Sequence, residues 1–446
     1  MGRVLGVRGG VVVAEASYGY SIEPVPAEKR HYSFWDNFAI WFGAGVSIAE
    51  FWAGALLVPY LSLPAALAAI IIGHAIGNLL LSIIAWMGVE SGVPTMVLSR
   101  GSLGRRGSYL PSILNYLQLI GWTAVMLVVG AEAMQAVTSS FIHADLYLLW
   151  IVVLGFLVTV WSLIGPEKWR GLEKVSAALL LVLTAWLTYV TISRFGFWRL
   201  WSMPGKGGMS WWVGLDLVVA MPVSWAPLVA DYARFSRSSG GGFWGTYVGY
   251  FISSGLFYFI GALTNMAVGK PDPISIIASY GLGIPAMLII VFSTTTTTFL
   301  DVYSAAITFK NIKPDADARK QIILVGVLGT LLAMVFPVEQ YEWFLLLIGG
   351  AFVSLTAIMV ADFLARRWLY RDGWRVIRVG VDVDWASIVI WGVGFAFYML
   401  LAAVSLLGLR IPVVDWIADN FGSTIPTLIL VTALYVAKLA AERGRG

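Results

Sequence analysis

The chain has no cysteine and only three histidines, His31, His74 and His143, in 446 residues. Without thiols there are no disulfides, thiolate metal sites or cysteine nucleophiles, and three scattered imidazoles do not make an ordinary zinc centre. Charge is scarce too: Asp, Glu, Lys and Arg are 12% of the residues, about half the ~25% of a soluble globular chain. A Gly-rich phosphate loop, a paired-His motif and a Ser/His/Asp arrangement are also missing, so ATP-driven transport within this chain has no support. The 47 glycines and 17 prolines follow no short repeat, which sets aside collagen-like, coiled-coil and disordered chains. What is present is apolar: 59% hydrophobic residues and a mean hydropathy of +0.82. Too little polar surface exists to face water, so the solvent is lipid and the chain is an all-α polytopic membrane protein.

A helix needs roughly 20 apolar residues to cross the hydrocarbon core. Runs of that kind give twelve expected spans, at 37–60, 64–87, 110–137, 146–164, 175–193, 211–230, 244–268, 283–306, 320–336, 342–362, 385–408 and 425–440. Residues 1–30 hold a short apolar run, Val11–Ala14, but no long hydrophobic core with a cleavage site, and read as a cytoplasmic tail. With that tail inside, 24 of the 29 Lys and Arg fall on inner segments, and only Arg194, Arg199, Lys206, Lys270 and Arg410 fall outside. A missed or spurious span would invert every later loop, so this bias supports an even number of spans with both termini cytoplasmic, in the cell membrane. The net charge of +4 and pI near 9.1 follow from the same bias and imply no nucleic-acid partner. No linker long enough to separate a pair of domains appears. The expected layout is a tail at 1–30, one transmembrane domain at 31–440 and a tail at 441–446, with no obligate protein partner evident.

A charge near the bilayer centre costs about 2.5–3.5 kcal/mol on insertion scales, so such a residue is usually turned inward and functional. Glu50 is the best candidate, mid-way along the first span in a glycine-rich stretch, Phe42 to Gly54. Carbonyls freed by a helix break there can ligate a cation, and the carboxylate can accept a donor from a polar substrate. The bland alternative is a packing segment with Glu50 bonded to a neighbouring helix. The sixth span has a second interruption, with Pro222 and Pro227 each removing a backbone donor. Breaks in the first and sixth helices fit an inverted five-plus-five repeat with a midplane site, against two unrelated proline kinks.

The eighth span carries Ser293, five consecutive threonines at 294–298, and Asp301. Ser293, Thr297 and Asp301 share one helical face, and hydroxyl oxygens suit a hard cation such as sodium. Each threonine alone is more simply explained as bonding its own i−4 carbonyl. In the third span Gln118 and Trp122 lie one turn apart, and Trp225 comes from the sixth. An indole face can stack on a flat heteroaromatic ring while Gln supplies a donor and an acceptor to its edge. The chain has 21 tryptophans, however, and most will be lipid-facing, core or interfacial. Asp231 to Phe235 and Arg100 to Arg106 fall at inner ends, where they either lock the cytoplasmic side or follow charge orientation; for the arginines the second reading is preferred.

The motifs WFGAGVSIAE at 41–50, GHAIGN at 73–78, LNYLQLIGWTAVM at 114–126, MPVSW through DYARF at 221–235 and TFLDVYSA at 298–305 together resemble the nucleobase:cation symporter-1 family, most closely its hydroxymethylpyrimidine and cytosine permease branch. The likeness covers nearly all of residues 31–365. It implies a LeuT-like core of two inverted five-helix repeats, here 31–193 and 211–365, plus two extra helices at 385–440, and uptake of a planar heterocycle coupled to Na⁺ or H⁺. Carried over by position, Trp122 matches the ring-stacking tryptophan, and Trp225 is the nearest match on the sixth helix. Glu50 falls at a polar substrate ligand, and Asp301 where many members have Asn. Gln118, proposed above from its own chemistry, joins these as a substrate candidate. The cation would sit between the carbonyls of Val46 and Ala49 and the hydroxyls of Thr295 and Thr296. Two departures bear on this: Asp at 301 and the threonine run leave the coupling ion open, and the short Trp225 to Asp231 distance allows Ser224 or Pro222 into the substrate position.

The expected function is a secondary active transporter importing a small pyrimidine, hydroxymethylpyrimidine as a thiamine precursor, by Na⁺ or H⁺ symport, with no organic cofactor. Cytosine or another nucleobase is the alternative within the family. From other classes, a polytopic membrane enzyme would need acids or histidines clustered at one membrane face, whereas the acids here are isolated at depth, and a channel would show flux that does not saturate.

Overall fold

The computed structural model describes residues 21–443 except 140, 165, 271, 282, 337–339 and 408–410, and gives backbone but not side chains for 166–174, 296, 297 and 404–407. Most of the expected tail at 1–30 and the last residues of that at 441–446 therefore lie outside the described residues, as does the side chain of Thr296. All regular structure among the described residues is helical, and the one β feature there is a bridge between Tyr32 and Ser236. The first half comprises α1 (Phe34–Gly45), α2 (Ile48–Leu56), α3 (Leu63–Ser91), α4 (Tyr109–Thr138), α5 (Tyr147–Ile164) and α6 (Pro166–Phe195). The second comprises α7 (Trp211–Trp225), α8 (Val229–Ala233), α9 (Ser239–Val268), α10 (Gly283–Thr297), α11 (Phe299–Ile312), α12 (Ala318–Ala333) and α13 (Tyr341–Ala365), followed by α14 (Trp385–Leu407), α15 (Pro412–Phe421) and α16 (Thr424–Arg443).

Among the described residues nine helices are long and apolar enough to cross a bilayer, or ten when the bent pair α1 and α2 counts as one span. The expected twelve is not reached by length. The two remaining positions, 211–230 and 320–336, are occupied by α7 and α12, of only 15 and 16 residues. At about 1.5 Å per residue each falls short of the roughly 30 Å core. For α7 the cause is visible: the helix stops at Trp225, Ala226 to Leu228 form turns, and α8 takes up the path. Interruptions therefore occur in both the first and the sixth expected spans, as the sequence suggests.

Two groups of helices pack as separate bodies. In one, α9 lies along α1, α2 and α3, and α7 lies on α3; in the other, α4 contacts α10, α11 and α12, and α5 packs on α12. Helix α13 touches α7, α3 and α4, and so reaches both bodies. Lipid offers no hydrophobic drive between helices, so close approach of backbones does the work. A Cβ on Gly54 would overlap the Tyr258 backbone, one on Gly261 the Phe51 carbonyl, and those on Gly73 and Gly77 the side chains of Val218 and Pro222. His74, fully buried, shares Nε2 with Ser254 Oγ at 2.8 Å and Nδ1 with the Ile70 carbonyl at 2.8 Å, tying α3 to α9.

The last helices are fastened by another buried polar contact. Asp216 of α7 accepts from the backbone N–H of Ser423 at 2.5 Å and of Thr424 at 2.9 Å, which satisfies two amides at the start of α16. A carboxylate at a helix N-terminus is favoured by the exposed amide dipoles.

The glycine contacts give a stability prediction. Gly54→Ala should destabilise the detergent-solubilised protein by about 1–3 kcal/mol through overpacking, while Gly392→Ala, where a Cβ meets nothing within 4 Å, should leave thermal unfolding unchanged or slightly improved. Equal melting temperatures for the two variants would contradict the packing described here.

Candidate functional site

The site begins at the break between α1 and α2, whose axes differ by 56°. Val46 leaves the helix at φ −82° and ψ 76° and Ser47 is extended at φ −142° and ψ 151°. Ser47 Oγ then accepts from the Ala49 N–H at 3.1 Å and restarts the helix, the usual role of a serine N-cap. At the far end of α2, Asn265 Nδ2 of α9 donates to the carbonyls of Ala55 at 2.8 Å and Val58 at 2.9 Å.

Glu50 stands in the first turn of α2, where the helix dipole favours a carboxylate. It is 1% exposed. Tyr250 of α9 donates its phenolic O–H to Oε1 at 2.8 Å, and Oε2 is buried with no hydrogen-bond partner among the described residues. Both sequence readings of Glu50 are thus half visible: one oxygen bonds a neighbouring helix, and the other is an uncommitted acceptor.

Glu50 lines a small pocket together with Ser47 and Ala49 from the break, Met221 and Trp225 from α7, Trp122 and Met126 from α4, and Thr298 and Asp301 at the α10–α11 junction. The cavity thus lies between the two bodies. Its free space is about 20 Å³, enough for a water and too small for a ring, so a planar ligand enters only if the lining side chains move aside. Trp122 is held edge-on by Tyr341 and Phe344, with centroids 6.0 and 5.3 Å away. Tyr341 in turn stacks on Trp52 at 4.3 Å. Trp225 packs edge-on to Trp41 at 5.8 Å, and its buried Nε1 has no acceptor among the described residues.

Of the substrate residues expected from sequence, Glu50, Trp122, Trp225 and Asp301 meet at this cavity, and Gln118 and Ser224 do not line it. Gln118 Nε2 donates to Asn115 Oδ1 at 2.7 Å and to the Ser224 carbonyl at 3.0 Å, which staples α4 to the end of α7. The Ser224 hydroxyl is turned onto its own helix, donating to the Met221 carbonyl at 2.6 Å. Of the ion residues, Ala49 lines the cavity while Val46 and Thr295 do not. The Ala49 carbonyl accepts a long contact from Tyr341 Oη at 3.4 Å. Thr295 donates to the Val291 carbonyl at 2.8 Å, the i−4 bond that plainly explains a membrane threonine. Its oxygen lone pairs stay available.

Sequence reasoning missed Tyr250 and Tyr341, supplied by other helices to the first turn of α2, and Asn265, which bonds the far end of that helix. Nothing in the sequence marks two tyrosines among 18. Thr298 belonged to the threonine run, and its place at the junction of two helices, with Oγ1 donating to the Thr294 carbonyl at 2.6 Å, distinguishes it from its neighbours. Deeper along the same seam Asp231 Oδ1 accepts from the Thr95 N–H at 3.0 Å while Thr95 Oγ1 accepts from the Ala230 N–H at 2.8 Å. Arg100 reaches Asn311 through Nε at 2.7 Å and Nη2 at 2.9 Å, so it holds the end of α11 and is more than a marker of orientation.

A broken first helix, a broken sixth and a site enclosed between two helix bodies define a LeuT-like secondary transporter fold. Comparison with known proteins agrees. The Mhp1 structure described as a nucleobase-cation-symport-1 family transporter in a closed conformation with bromovinylhydantoin bound superposes with a TM-score of 0.79 at 21% identity, covering 94% of each chain. Cytosine permease of Escherichia coli K12 is 25% identical over 378 residues, 84% of this chain and 88% of its own. Hydantoin permease of Microbacterium maritypicum is 25% identical over 425 residues, 86% of each. The family described as permeases for cytosine/purines, uracil, thiamine and allantoin matches residues 24–421. The chain belongs to that family, within the nucleobase:cation symporter-1 transporters, and is a multi-pass membrane permease and not an enzyme.

The contact between α9 and α2 is testable. Tyr250→Phe removes the donor to Glu50 Oε1, leaves that buried oxygen without this partner, and should destabilise the protein by about 1–3 kcal/mol. Scanning calorimetry on the purified variant, with its size-exclusion profile unchanged, would measure this.

Proposed function

We propose that the protein imports a small aminopyrimidine, with hydroxymethylpyrimidine as the first candidate, in symport with Na⁺ or H⁺. The observation that carries the reading is the convergence of two indoles, Trp122 and Trp225, and two carboxylates, Glu50 and Asp301, on one small pocket. Indole faces suit a flat ring. A carboxylate oxygen without a partner suits a ring that presents an exocyclic amine or N–H, since an ionised carboxylate only accepts. Cytosine shares that edge chemistry and is the second reading, favoured by the relatives whose names give it as cargo.

Each coupling ion has its own support. For sodium it is the non-helical backbone at Val46 and Ser47, beside Ala49 in the first turn of α2, with the Thr295 oxygen on a helix that packs against α2. For the proton it is the pair of acids in one small cavity: two carboxylates there repel if both are ionised, so the pair is placed to hold one proton. The arginine and lysine distribution supports a cell-membrane location with both termini cytoplasmic.

Counterflow in liposomes with labelled hydroxymethylpyrimidine, competed by cytosine, uracil, thiamine and hydantoins, tests the substrate; uptake that unlabelled hydroxymethylpyrimidine does not compete would refute it. Trp122→Ala should cost about 1–3 kcal/mol of substrate affinity and Trp122→Phe less. In a sodium-driven transporter Thr295→Val should weaken the sodium dependence of binding more than binding at saturating sodium, because linkage is reciprocal. If uptake is driven by a pH gradient without sodium, Glu50→Gln or Asp301→Asn should instead abolish the coupling, and amine-bearing rings should lose more affinity than oxo-substituted ones such as uracil.

A further inference from the structure

The loop after α13 carries five arginines between residues 366 and 378, and they do not have equal partners. Arg366 is committed to the buried Asp362, with Nε donating to Oδ1 at 2.6 Å, and to the Gly101 carbonyl at 2.8 Å. Arg367 is committed to Glu90 through two hydrogen bonds. Arg371 lies within reach of the Glu90 charge, and Arg375 and Arg378 are left; the one acid between 366 and 378 is Asp372, 3.7 Å from Arg375 Nε, while Asp382 and Asp384 further along the loop pair with Arg105 and Lys438. Two short helices, Arg367–Tyr370 and Gly373–Ile377, set these side chains along an open hollow of about 470 Å³ lined by Arg366, Trp368, Trp374, Arg375 and Arg378, with Asp372 the one carboxylate on its wall.

The tryptophans say what kind of surface this is. Trp368 is 59% exposed and Trp374 42%, and each lies beneath an arginine: Arg375 over Trp368 at 6.0 Å and Arg378 over Trp374 at 4.9 Å. Exposed indoles beside cations at the end of a membrane-spanning helix sit at headgroup depth. Guanidinium forks match phosphate oxygens in a way an ammonium does not. We propose that this cavity binds the phosphate headgroup of an anionic membrane phospholipid. The lipid is preferred to a soluble phosphate because the indoles face the interface and give the acyl end an apolar border. The site is separate from the transport cavity and does not depend on which ring or ion is carried. Its occupant would touch Arg366, the residue that joins α13 to Gly101 of the short helix Arg100–Leu103, so binding would brace that joint.

Native mass spectrometry of the whole protein in detergent, with phosphatidylglycerol or phosphatidylcholine added, tests this. Wild type should retain phosphatidylglycerol over phosphatidylcholine, and R375Q/R378Q should reduce that retention tenfold or more, given the usual worth of each basic residue near an anionic headgroup. R199Q/K206Q, at the other membrane face, should change nothing. R378Q alone should give an intermediate loss, which covers the case of a double variant that does not fold. Equal retention of the two lipids by wild type, or undiminished phosphatidylglycerol retention by both R378Q and the folded R375Q/R378Q, would overturn the site. Displacement of the lipid by millimolar inorganic phosphate would assign the cavity to a soluble anion and overturn the lipid proposal.

Discussion

A helix interrupted inside a bilayer exposes backbone amides and carbonyls that lipid cannot satisfy, each at a cost of several kcal/mol. The rest of this structure is arranged around meeting that demand between α1 and α2. Ser47 restarts the second half-helix, Tyr341 leans on the Ala49 carbonyl, and Asn265 closes two carbonyls at the far end. Tyr341 and Asn265 come from other helices, so α13 and α9 help to hold the broken span in place. The glycines of α2 and α9 make this possible by letting the backbones touch. Glu50 inherits its position from the same arrangement: the break makes it a first-turn residue, and α9 gives one of its oxygens a donor.

The placement of α13 links this local demand to the whole. It starts at Tyr341, which stacks on Trp52 and stands edge-on to Trp122, and so touches side chains from both helix bodies just beside the cavity. Trp122 and Asp301 belong to one body and Glu50 and Trp225 to the other. A relative shift of the bodies would change the distances between one pair and the other and leave the distances within each pair as they are. A ring held between them would contact both at once, which is what a binding site needs if occupancy is to bias their arrangement.

Much of this was legible in the sequence because lipid imposes strong rules. Low charge, apolar runs and arginine bias led to an all-helical polytopic chain, and Pro222, Pro227 and the Glu50 segment marked both interruptions. The count of spans was less secure, since a helix stopped at Trp225 or Ala333 reads the same as a full span when only hydropathy is considered. At the site, a buried acid is conspicuous and Glu50 and Asp301 stood out. The groups that serve them did not: Tyr250 and Tyr341 are ordinary apolar-looking residues until the fold sets their hydroxyls against α2. Ser224 and Gln118 show the converse, polar residues near the right place whose donors are spent elsewhere, the first on its own helix and the second on tying α4 to α7.

Asp216 places a constraint on how the molecule is made. Its carboxylate lies in α7, yet the amides it binds belong to residues 207 and 208 positions further along the chain. During synthesis, α7 is complete long before Ser423 and Thr424 leave the ribosome. Until then the second half of the protein carries a buried acid without those donors, a costly state in lipid. The polar bonding of α7 is therefore finished only by the last helix of the chain. A protein shortened before α16 would lose an outer helix and also strand a carboxylate on the helix that supplies Trp225 to the site.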